Sequence, residues 1–134
     1  MDKKALQDLY LEYLRDEGYK GELDEDGDIS FKYEGGFYYI FIDEDDEKYF
    51  RIVYPNFWEI ESDDERIKAL TVTNTVNREY KCGKVLLVGK DDKKNTWAEV
   101  GVFLSDANEF KLFFTRMIGI IQSMVSDYEQ GMKS

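Results

Sequence analysis

The feature that most constrains this chain is the order in which its hydrophobic period changes. A helical period comes first, then three strand-like periods, a second helix, two more strands and a long final helix. Leu6, Leu9, Tyr10, Tyr13 and Leu14 fall on one face at helical spacing, and Gly18 follows as a C-cap. Tyr19 to Leu23 reads as a connector or a short edge strand. Ile29, Phe31 and Tyr33 alternate with Ser30 and Lys32, the mark of a half-buried strand. Glu34-Gly35-Gly36 is a tight hairpin turn. Phe37 to Ile42 is apolar at every position, and Asp43 to Glu47 is an acidic turn. Tyr49 to Tyr54 is the third strand, with Phe50, Ile52 and Tyr54 on one side and Pro55 closing it.

Ser62 and Glu65 form a capping-box pattern, reinforced by Asp63 and Asp64 in the first turn. The helix they open carries Ile67, Leu70, Thr73, Asn74 and Val76, a face that is polar and β-branched for a core helix. Lys84 to Val88 is a strand, the turn Gly89 to Asn95 reverses it, and Thr96 to Leu104 returns. Ser105 or Asp106 caps the last helix, with Glu109 near its N3 position. Phe110, Phe113, Phe114, Met117, Ile118, Ile121, Met124, Val125 and Tyr128 make an apolar stripe wide enough to face a sheet. Short connections make the strands antiparallel, so the helices can gather on one face. The expected fold is α+β, a two-layer sandwich of about five strands and three helices in the order α-β-β-β-α-β-β-α, with residues 1–134 as one domain.

Of the residues, 43% are hydrophobic and 16% aromatic, enough for a core that buries about two-thirds of the unfolded surface without disulfide or metal staples. Acidity is concentrated. Residues 22–65 hold 16 Asp and Glu against three Lys and Arg, a net of -13, while the rest of the chain has a net of +2. Such a surface fits solubility and hairpin-turn chemistry; it also repels nucleic-acid phosphates and anionic lipids and can attract a basic segment of a partner protein. The N-terminus lacks the apolar core of a signal peptide. The most apolar stretch, Leu112 to Val125, includes Thr115, Arg116, Gln122 and Ser123 and is too short and polar to span a bilayer. The expectation is a cytoplasmic protein that binds neither nucleic acid nor membrane.

The chemistry of catalysis is sparse. There is no histidine, which removes the Ser-His-Asp and Cys-His arrangements and the commonest transition-metal ligand. Cys82 has no disulfide partner in the chain and reads as a small buried hydrophobe. Asp24, Asp26 and Asp28 approach a calcium loop, but the glycine is Gly27, between the second and third ligands. Position 6 would be Ile29 and position 12 would be Gly35, so the segment is an Asp-Gly turn. Glu99 lies between apolar neighbours and reads as an outward-facing strand residue sharing a face with Trp97, Gly101 and Phe103. No catalytic residue, metal site or cofactor is assigned.

The aromatics are the remaining signal. Tyr38, Ile40 and Ile42 face opposite to Phe37, Tyr39 and Phe41; either both sets are internal, with helix and sheet curling together, or helices cover one and leave the other open. An uncovered set would be an interaction patch. We assign partner binding to Tyr38, Ile40 and Ile42, with Phe57 and Trp58 extending the neighbouring strand.

Several segments resemble the YbjN-like family of bacterial proteins, within a type III secretion chaperone-like fold. They are Tyr13-Leu14-Arg15-Asp16-Glu17-Gly18-Tyr19, Leu23-Asp24-Glu25-Asp26-Gly27-Asp28-Ile29, Tyr38-Tyr39-Ile40, Tyr49-Phe50-Arg51-Ile52 and Phe57-Trp58-Glu59-Ile60. The segment Ala69 to Lys84, with Asn74, Asn77 and Lys84, resembles the same family. Secretion chaperones are small, acidic, usually dimeric proteins that hold an extended segment of a partner. The resemblance therefore implies a non-enzymatic, chaperone-like interaction module and a homodimer. Ile67, Leu70, Thr73, Asn74 and Asn77 are the candidate dimer face. The alternative is a regulator that binds a small ligand or calcium.

Overall fold

The computed structural model describes residues 1–89 and 94–134. The turn expected over Gly89 to Asn95 therefore lies partly outside the described residues. Helix α1 (Lys3–Asp16) is followed by strands β1 (Gly21–Leu23), β2 (Ile29–Tyr33), β3 (Gly36–Ile40) and β4 (Tyr49–Tyr54). Then come α2 (Asp63–Glu79), β5 (Gly83–Val88), β6 (Asn95–Phe103), a single 3₁₀ turn (Ala107–Glu109) and α3 (Phe110–Lys133). The six strands form one antiparallel sheet in the order β1-β2-β3-β4-β6-β5. The α+β architecture and the order of elements are as expected. The sixth strand is β1, the segment read as connector or edge.

Local chemistry sets the boundaries. The Asp2 carboxylate accepts from the Ala5 N–H at 2.8 Å and caps α1, and Gly18 leaves that helix at φ +88°. Glu34 and Gly35, at φ +47° and +86°, form the two-residue turn that pairs Tyr33 with Gly36. The Ser62 hydroxyl accepts from the Glu65 N–H at 3.0 Å, while the Glu65 carboxylate accepts from the Glu61 N–H at 2.8 Å.

At the start of α3, Asp106 and Glu109 make a reciprocal capping box. Hydrogen bonds from the Asn108 backbone and side chain hold the Asp106 carboxyl below its ordinary pKa. Those from the Ser105 hydroxyl and the Asp106 N–H do the same for Glu109. A depressed folded-state pKa contributes stability that is present above the unfolded value and is lost as pH falls through the folded one. Acidification through the carboxylate range is therefore expected to loosen this turn. The amide shifts of Asn108 and Asp106, followed by NMR titration, check it. Midpoints at or above the values of free Asp and Glu would contradict it.

Helices pack on one face of the sheet. Phe110, Tyr10 and Phe50 meet there with ring centroids 4.9–5.3 Å apart. Tyr13 lies edge-on to Phe110 and Phe114 at 5.0 and 5.2 Å. Phe114 reaches Phe31 at 5.5 Å. Offset and edge-on contacts of this kind add to the burial of the rings. Of the expected α3 stripe, all but Phe113 and Val125 are buried, and Met132 extends it.

Candidate functional site

The apolar run Phe37 to Ile42 puts a different set of residues on each face, and the structure decides which set is covered. Tyr38 and Ile40, 4% and 0% exposed, point into the core with Phe31, Phe50 and Ile52. Burial raises the Tyr38 hydroxyl pKa to about 12. Ile42 is half-buried against the same core, and its N–H donates to the Asp28 carboxylate at 2.8 Å. Phe57 and Trp58 are half-buried on the helix side, edge-on to Tyr128 at 5.4 and 6.1 Å. The Phe57 N–H continues the pairing with β6 by donating to Thr96 O at 3.1 Å. The expectation that Tyr38 and Ile40 form a free partner-binding surface is therefore corrected. Side chains alternate, and α3 takes the Tyr38 face.

The open face is the other one. It carries Phe37, Tyr39 and Phe41 beside and beyond β3, Tyr49, Arg51 and Val53 on β4, and Trp97, Glu99, Gly101 and Phe103 on β6. Phe37 and Phe103 are 61% and 81% exposed. Tyr39 lies 5.9 Å from Phe41, Phe41 lies 6.0 Å from Trp97, and Tyr49 lies 5.2 Å from Phe103. The Trp97 indole N–H donates to the Asn56 side chain at 2.9 Å, and Asn56 holds φ +56°. Gly101 has a steric reason to be glycine, because a Cβ there would lie 2.5 Å from the Tyr49 hydroxyl oxygen. The Tyr49 ring thus lies directly over the strand.

One charged row crosses this face. Register aligns Tyr39, Val53, Glu99 and Lys84 across β3, β4, β6 and β5. Glu99 faces away from the helices, as its alternation predicts, yet it is 3% exposed. Its carboxylate lies 3.4 Å from Arg51 Nη1 and 3.1 Å from Lys84 Nζ. Arg51 in turn sits over the Phe41 ring at 5.1 Å. A cleft of about 340 Å³ beside this cluster is lined by Tyr49, Cys82, Gly83, Lys84, Glu99, Gly101 and Phe103.

The acidic turns gather at one end of the sheet, where β2 and β4 begin and β3 and β6 end. The segments 24–28 and 43–47 together hold nine carboxylates. Asp24 is committed to its turn, accepting from the Asp26 and Asp28 N–H groups at 2.9 Å each, with Gly27 at φ +83°. Among the described residues no cluster of three or more acidic or cysteine side chains is arranged to hold a metal.

On α2 the buried residues are Ala69 and Val76. Ile67, Leu70 and Asn74 are exposed, Ile67 at 63% and Leu70 at 45%. Thr73 is half-buried, and Asn77 is not free to dock a partner. Its side chain donates to Val85 O at 3.1 Å and accepts from Val85 N at 2.7 Å, closing the helix onto β5. Cys82 is exposed and adopts φ +60° just before β5, contrary to its expected burial. It lies in the bend that enters the strand, outside the sheet whose packing would have covered it. Among the described residues no helix is long and apolar enough to cross a membrane.

The molecule is thus an α+β protein with helices on one sheet face and an aromatic second face on which Phe37 and Phe103 are exposed. No protein-family model matches the chain, and no curated protein matches it. Among solved structures, the crystal structure of YbjN from E. coli, a proposed transcription regulator, matches with a TM-score of 0.66. The identity is 13%, and the match covers 89% of this chain and 87% of that one. The chain shares the YbjN fold.

Proposed function

We propose that this protein is a non-enzymatic interaction module that holds an extended, basic segment of a partner protein against the helix-free face of its sheet. The observation that carries the reading is the exposure of Phe37 and Phe103, near opposite ends of the same helix-free face. Aromatic groups on an open face act as anchors for a partner, and a patch of this kind marks an interaction site. The nine carboxylates at one end of the sheet give that partner its sign. The same charge opposes nucleic acid, so a regulatory role would run through protein contacts. This manner of binding is the chaperone-like one that the family resemblance implies. A cytoplasmic setting fits a chain whose one cysteine is free. The exposed Ile67, Leu70 and Asn74 of α2 are the face on which a second copy docks in this reading.

An array of short extended peptides of varied charge and hydrophobicity tests the proposal. Wild-type protein is expected to retain peptides that combine basic with aromatic or branched aliphatic residues. The Phe37→Ser/Phe103→Ser variant is expected to lose about tenfold or more in affinity, the effect of removing an anchor, with an unchanged melting temperature. Preference for acidic peptides, or equal binding by the variant, would sink the idea. Light scattering on the same samples is expected to show a dimer that Ile67→Glu/Leu70→Glu dissociates, and a monomeric wild type removes the dimer from the proposal.

A further inference from the structure

We propose that the crevice between β6 and α3, beside Lys81, binds a small carboxylate with an apolar body, a short acyl chain or a single ring. It opens on the helix side of the sheet, shares only Cys82 with the cleft on the aromatic face, and does not depend on the function proposed for that face. The crevice exists because β5 starts late. Gly83 pairs with Val100, and one residue earlier Cys82 turns the chain aside at φ +60° after accepting a bond from the Gly101 N–H at 3.2 Å. Val102 consequently has no β5 residue opposite it, and the space beside it stays open.

The space measures about 190 Å³. Its floor is buried or half-buried apolar surface from Val100, Val102, Met117 and Ile120, and its rim is the exposed Lys81, Cys82, Phe113 and Arg116. An apolar cavity of about 150 Å³ accepts benzene, so this one accommodates a body of about six to eight carbons.

Charge identifies the occupant. In a chain of net charge -11, Lys81 and Arg116 flank an apolar opening and neither pairs with a carboxylate among the described residues. A guanidinium offers two parallel N–H donors to a carboxylate, and an ammonium adds a point charge. A neutral molecule of the same shape would fill the floor and leave both cations unused.

Cys82 makes the site measurable. It is the only cysteine and lies on the rim, so occupancy slows its alkylation by uncharged iodoacetamide, and the crevice variants below separate this from binding in the sheet-face cleft that Cys82 also borders. Sodium octanoate is expected to slow that alkylation saturably in the wild-type protein. 1-Octanol should require about tenfold higher concentration for the same protection, the factor expected for losing a charge-assisted contact. The exposed substitutions Lys81→Gln and Arg116→Gln, made together, should bring octanoate down to the level of octanol. Val102→Trp, which fills the crevice, should remove protection by both while circular dichroism confirms a folded protein. If octanoate gives no saturable protection, if octanol protects equally, or if the double Gln variant keeps full protection, the proposal is wrong.

Discussion

Phe110→Ala is expected to destabilise the protein by about 3–5 kcal/mol, the range for removing a large buried aromatic. Phe110 is 0% exposed and opens α3 at the point where three elements converge. Its ring lies 4.9 Å from Tyr10 and 5.0 Å from Tyr13 on α1, and 5.1 Å from Phe50 on β4. The space left behind is bounded by aromatic rings carried on separate elements, so no single shift closes it. For a chain of this size the loss corresponds to a fall in melting temperature on the order of 10–20 °C. Leu112→Ala, on the same helix but 74% exposed, should change stability by no more than about 0.5 kcal/mol. Denaturant titration of both variants checks the contrast, and equal losses would show that α1, β4 and α3 are not joined through Phe110.

The second large effect is expected at Glu99. Glu99→Ala removes the carboxylate that Arg51 and Lys84 share and should cost about 2–4 kcal/mol, because it strands a partly buried guanidinium. The two bridges are unequal. The Lys84 side chain is 56% exposed, and its pair with Glu99 is worth about 0–1 kcal/mol in contact with water. The Arg51 side chain is 35% exposed and keeps only its position over Phe41 once Glu99 is gone. Removing both charges is therefore expected to be milder than removing one. Glu99→Leu with Arg51→Met should recover most of the loss, since a buried pair replaced by apolar groups of similar volume is often close to neutral. A double-mutant cycle measured by chemical denaturation gives the coupling. A Glu99→Ala loss below about 1 kcal/mol would mean that this cluster behaves as a solvated surface pair.

Much of the architecture is legible along the chain. Ser62 with Glu65 marks the start of α2, and Asp106 with Glu109 the turn into α3, because capping is a contact between residues three apart. The α3 stripe from Phe110 to Tyr128 shows which side of that helix is buried. The Asp24–Asp28 turn is readable for the same local reason, since Asp24 bonds to backbone groups two and four residues on. The candidate site was less legible. Tyr38 and Ile40 carry the same hydrophobic signal as Phe37, Tyr39 and Phe41, so nothing in that run distinguishes core from open surface. One clue was available: Ile29, Phe31 and Tyr33 are the apolar set of β2, and the register Phe31↔Tyr38 and Ile29↔Ile40 puts Tyr38 and Ile40 on their side of the sheet.

The succession of helices and strands, their caps and turns, and the inward stripe of the last helix can all be read along the chain. These depend on spacings of two to four residues, over which neighbouring side chains act directly on the backbone. Long-range packing settled which face of the sheet α3 covers and that Glu99 is buried on the other face. It also decided that Asn77 is locked to β5 and that Cys82 and Lys81 border an open crevice. Those outcomes depend on which strand lies beside which. The neighbours that bury Glu99 stand 48 residues before it at Arg51 and 15 before it at Lys84, a separation that no local period can encode.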